Sequence, residues 1–114
     1  MKLTEQKAKT IAKGTAPLSK KEAEELLRDI PLWCPGEGYI EREFRFADFR
    51  GAMEFVNKVA AIANEEDHHP DIFISYGKVR LILSTHKING LSLNDFIVAA
   101  KIDLVDQNRV GKAA

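Results

Sequence analysis

The sequence has little sulfur and little imbalance of charge: one cysteine, two methionines, and 17 basic residues set against 17 acidic ones in a chain of 114. With Cys34 alone, neither an internal disulfide nor a thiolate metal cluster can form within one chain, and the residue reads as a small packing group. Zero net charge removes the global positive field that would draw in nucleic acid or an anionic membrane surface. No segment approaches the roughly 20 apolar residues of a membrane-spanning helix. The charged opening Met1-Lys2-Leu3-Thr4-Glu5 lacks the apolar stretch of a secretory signal, so a cytoplasmic protein is expected. There is no internal repeat and no low-complexity tract.

What remains, 45% hydrophobic and 30% charged residues, suits one packed domain and leaves no room for a two-domain enzyme. Residues 1–17 carry lysines and few large apolar groups, and read as a flexible arm ending in Gly14-Thr15-Ala16-Pro17. Ser19 and Glu22 have capping-box spacing, which predicts a helix over about Lys20 to Arg28 with Ala23, Leu26, Leu27 and Ile30 on its apolar side and Pro31 as its stop. A turn containing Cys34-Pro35-Gly36 leaves space for a short strand near Trp33, itself expected as a core anchor. Ile40, Phe44 and Phe46 then alternate as in a half-buried strand.

Asp48 caps a long second helix, with Phe49, Ala52, Met53, Val56, Val59, Ala60 and Ala63 at helical spacing as far as Asn64 or Glu65. A hairpin follows, Ile72 to Tyr76 and Val79 to Ser84 about a Gly77-Lys78 turn, in which Val79, Leu81 and Leu83 face the helices and Tyr76 covers the sheet. Ile82, on the otherwise polar row, hints at a partner. The last helix begins near Ser92 and carries Leu93, Phe96, Ile97, Ala100 and Leu104 as its stripe. The order α-β-β-α-β-β-α describes an α+β domain: a four-stranded antiparallel sheet with three helices on one face.

Chemistry concentrates in three histidines. His68 and His69 follow Glu65-Glu66-Asp67 and precede Pro70, which disfavours helix at His69 and sets the pair at a helix-to-strand junction. The hairpin returns the chain so that His86, just beyond its second strand, lies at the same end of the sheet. A capped helix end with solvated histidines, an acid/base site and a three-histidine zinc site all remain open. Zinc suits the pattern least, because adjacent residues on an extended segment project to opposite faces. Imidazole titrates near neutrality and can donate and accept protons without metal or cofactor.

Asp67-His68-His69-Pro70-Asp71-Ile72, Tyr76, Leu83-Ser84-Thr85-His86 and Gly90-Leu91-Ser92 with Asp95 closely resemble the signature of the pterin-4α-carbinolamine dehydratases. The similarity extends over residues 18–106, leaving the arm and a tail at 107–114 outside it. The resemblance implies dehydration of 4a-hydroxytetrahydrobiopterin, or a related carbinolamine, to quinonoid dihydropterin and water in tetrahydrobiopterin recycling. It implies a small-molecule pterin substrate, no cofactor and no metal, and assembly as a homodimer or homotetramer. His68, His69 and His86 would be the catalytic imidazoles, with Asp95, Glu65 and Pro70 binding substrate or supporting the site. Asp95 also reads as the capping-box partner of Ser92. One position departs from the family: Asn64 stands where an acidic residue is usual, with Glu65 adjacent. Non-catalytic relatives imply a second function on the same fold, a dimerisation factor for a transcription regulator or an assembly chaperone resembling those of Rubisco, with a protein partner in place of the substrate.

Overall fold

A computed structural model describes residues 1–113. Three helices, α1 (Lys20–Leu27), α2 (Phe49–Glu66) and α3 (Leu93–Ala113), and four strands, β1 (Cys34–Pro35), β2 (Ile40–Arg45), β3 (Asp71–Ser75) and β4 (Lys78–Leu83), follow one another in the predicted α-β-β-α-β-β-α order. The sheet is antiparallel throughout, in spatial order β1-β2-β4-β3. Short 3-10 turns lie at Leu3–Glu5 and His86–Ile88. No helix among the described residues is long and apolar enough to cross a membrane.

Local sequence accounts for most boundaries. Ser19 Oγ accepts the Glu22 amide at 3.1 Å while Glu22 accepts the Ser19 amide at 2.9 Å, the reciprocal pair that starts α1. Asp48 accepts the Gly51 amide at 2.8 Å and starts α2. The hairpin turn is Tyr76-Gly77 rather than Gly77-Lys78: Ser75 pairs with Lys78, and Tyr76 takes a left-handed φ of 50° with its ring exposed instead of lying on the sheet. Gly77 is required there, because a Cβ would stand 2.4 Å from the Phe46 carbonyl oxygen.

Val79, Leu81 and Leu83 are fully buried against the helices, beside Ile40 and Phe44 of β2, where period-two alternation places them. Phe44 packs on Phe55 at 4.7 Å between ring centroids, and Trp33 meets Phe44 edge-on at 6.3 Å. Three apolar expectations fail. Phe49, Leu93 and Leu104 are exposed, the first two because they open their helices, whereas Val98, Ala99 and Ile102 are buried. Cys34 is also exposed, on the edge strand β1.

The arm differs from expectation too. Leu3 is buried against the core, and Leu18 donates its amide to the Leu91 carbonyl. The predicted tail continues α3 through Ala113, and Ala114 lies outside the described residues.

Arg42, in the middle of β2 opposite Leu81, ties the sheet to α3. Its guanidinium donates to Asp103 Oδ1 at 2.6 Å and Asp106 Oδ2 at 3.0 Å, and stacks 4.3 Å from the Phe44 ring. Trp33 Nε1 adds a bond to Asp103 at 2.8 Å. Burial pushes the Asp103 carboxyl up from its usual range, against the pull of Trp33 and Arg42, and neighbouring Asp106 adds to the rise. A carboxyl raised in the folded state stabilises most when protonated, and that contribution is lost as pH rises through its titration. Arg42→Ala is therefore expected to cost about 3 kcal/mol at neutral pH and less near pH 4, read from urea unfolding at both values; a loss that does not change with pH would contradict this account.

Candidate active site

Helix α2 ends at Asp67, whose left-handed backbone (φ 50°, ψ 43°) returns its amide to the Ala63 and Asn64 carbonyls. Aspartate tolerates this conformation better than most residues. The reversal throws His68 and His69 out of the helix and towards β3. Asp71 pairs with Ile82, so the residues before it run beside Ser84 and Thr85, and His86 follows in the next turn. All three histidines thus line one cleft of about 320 Å³, with Asp67, Ser84, Thr85, Lys87 and Asn94. Its remaining wall is Lys9, Thr10 and Ile11, from the arm.

Asp95 lies beneath this cleft, fully buried. Its Oδ1 is 2.6 Å from His68 Nε2, and its Oδ2 accepts the Thr85 hydroxyl at 2.8 Å and the Ser92 amide at 2.9 Å. Thr85 has one hydroxyl proton and commits it to Asp95. In the 2.7 Å contact between Thr85 Oγ1 and Ser92 Oγ, the serine must then donate. The bond to the Ser92 amide is half of a capping box, so Asp95 both begins α3 and orients a histidine. The two expectations for this residue are compatible.

His69 is held differently. Its Nε2 lies 3.0 Å from Asn64 Oδ1, an atom that can only accept, so this ring nitrogen donates. The unusual residue at position 64 is thus in direct contact with a site histidine, and supplies a neutral partner where a carboxylate would supply a charged one. Glu65 does not reach the cleft. Its carbonyl accepts from Lys7 Nζ at 3.3 Å, and neither it nor Pro70 is among the lining residues. His86 lines the cleft from the exposed turn after β4. Among the described residues, no three His, Cys, Asp or Glu side chains converge as a metal-ligand set.

Thr85, Asn94 and the arm were not anticipated as parts of the site. Both are buried, but Thr85 stands between Ser84 and His86 and Asn94 between Leu93 and Asp95, so local sequence does not mark either as a buried hydrogen-bonding group. The arm carries no periodic pattern that would reveal its docking.

The sequence pattern of the family described as pterin 4 alpha carbinolamine dehydratase matches residues 16–105. The chain belongs to that family. It is 43% identical over 105 residues to a protein of Halorhodospira halophila named "Putative pterin-4-alpha-carbinolamine dehydratase", covering 90% of this chain and 96% of the relative. A Rickettsia bellii protein of the same name is 47% identical over 94 residues, covering 81% and 83%. Among solved structures, a transcriptional coactivator/pterin dehydratase from Brucella melitensis superposes with a TM-score of 0.73 at 35% identity, over 78% of this chain and 97% of that one. All three histidines fall within the residues matched to the carbinolamine dehydratase family. The docking segment Lys9–Ile11 lies before the matched residues.

Removing the carboxylate by Asp95→Ala leaves the buried Thr85 hydroxyl and Ser92 amide without their acceptor, at about 1–3 kcal/mol for each donor stranded. Urea unfolding of this variant should show a loss of at least about 2 kcal/mol, and stability equal to wild type would mean that the hub is not formed.

Proposed function

We propose that this protein eliminates water from a 4a-hydroxytetrahydropterin by imidazole acid/base catalysis, giving the quinonoid dihydropterin. The observation that carries the reading is the shared cleft of His68, His69 and His86 in a member of the dehydratase family. One imidazolium gives its proton to the departing 4a hydroxyl, and the carbon–oxygen bond breaks to release water. A neutral imidazole takes the hydrogen from the adjacent ring nitrogen, whose electrons close the new carbon–nitrogen double bond. Protons and electrons balance without an oxidant or a metal.

His69 and His86 are assigned as the acid/base pair. Both are exposed at the cleft, whereas His68 is tied at its Nε2 to buried Asp95 and suits binding and orientation. Glu65 and Pro70 act only through the backbone that carries the histidine pair. The protein works in the cytoplasm as a homo-oligomer in pterin recycling. The exposed apolar groups Phe73 and Ile74 on edge strand β3 favour contact with a second copy.

Following freshly generated 4a-hydroxytetrahydropterin by ultraviolet absorbance tests the assignment. Wild type should accelerate its loss above the uncatalysed rate. His69→Ala should lower kcat/KM by about 10²-fold or more while leaving the circular dichroism spectrum intact. Normal turnover by that variant would remove its role. No acceleration by folded wild type would favour the binding-protein alternative.

A further inference from the structure

The arm supplies a wall of the cleft and is fixed there by side chains from the body of the domain. Asn94, buried in the first turn of α3, accepts the Lys9 amide at 2.9 Å and donates to the Lys9 carbonyl at 2.6 Å. Glu66, at the end of α2 and only 5% exposed, accepts the Ala8 amide at 2.8 Å and pairs with Lys101 at 2.8 Å. Burial alone would raise the Glu66 carboxyl, but the Lys101 hydrogen bond, the Ala8 amide and the charges of Lys101 and Lys7 hold it below its usual range. Two buried polar side chains are thus satisfied through the arm's backbone, which seats Lys9, Thr10 and Ile11 along the cleft.

The charge of this wall is one-sided. Lys9 from the arm and Lys87 from the turn after β4 are both exposed residues of the lining, and Asp67 is the one acidic residue among them. Among the described residues, neither lysine is engaged in an ion pair. We propose that the docked arm reads the substituent of the substrate: Lys9 and Lys87 together take an anionic group, a phosphate or carboxylate, carried on the side chain of a pterin whose ring lies against the histidines. The inference rests on the pterin reading given above and adds to it a class of substrate. Asn94 is a positioning residue, acting through the backbone of Lys9.

Titration of the full-length protein with dihydroneopterin and with its terminal monophosphate ester, a pair differing only in the anion, measures this directly. Wild type should bind the phosphate ester more tightly, by about threefold for each lysine engaged, with the preference shrinking at high salt. Lys9→Gln and Lys87→Gln should each reduce the ratio of the two affinities, and the double variant should bring it to unity. Asn94→Ala should also lower the ratio while the pH profile of carbinolamine turnover keeps its shape, which a general loss of folding would not allow. Equal affinities in wild type, or a preference that survives the double variant, would overturn the inference. Turnover of the neutral carbinolamine without phosphate preference would sink this inference alone. Phosphate preference without any dehydration would sink the catalytic reading alone.

Discussion

Three hydrogen bonds converge on the buried carboxylate of Asp95, and the site depends on them. Thr85 closes β4, Ser92 opens α3, and His68 leaves the end of α2, so one side chain ties three otherwise separate chain segments to a single point. Each of those donors would be costly if buried without an acceptor, and an apolar residue at position 95 could satisfy none of them. The position and orientation of His68 therefore follow from the requirements of helix initiation.

Arg42 has the complementary role further along α3. It neutralises two acidic residues one turn apart on α3 and lies over Phe44 of β2, so it fastens the helix to the sheet by charge and by stacking together. Between these two polar anchors α3 is buried on nearly every side from Phe96 to Ala100. A helix so enclosed has little freedom to slide, which keeps Asp95 in register with Thr85.

Much of this was legible in the sequence, because periodicity reports burial where an element has one inner face. Val79, Leu81 and Leu83 in β4, and Ala52, Val56, Val59 and Ala63 in α2, obey that rule. It fails in α3, where a helix enclosed by neighbours has no single stripe, so helical spacing points to exposed Leu104 and passes over buried Val98. The histidines were legible through a hairpin that must return the chain. The pairing of His69 with Asn64 was not, since it depends on the backbone reversal at Asp67, and aspartate alone does not announce a left-handed turn. The docking of the arm was not legible either. Its docking is set by hydrogen bonds spanning up to 85 residues, and local composition carries no trace of such partners.

Those long-range bonds also bear on the order in which the molecule can be completed. Synthesis delivers Lys9 early and Asn94 near the end, so the wall of the cleft has nothing to hold it until α3 has left the ribosome. The sheet, the turn at Asp67 and the histidine pair can be assembled from residues made before that moment, while the carboxylate of Asp95 arrives one residue after Asn94. Orientation of His68 and closure of the cleft by the arm therefore become possible within the same short stretch of translation. A nascent chain stopped before α3 would carry all three histidines without the support that arranges them.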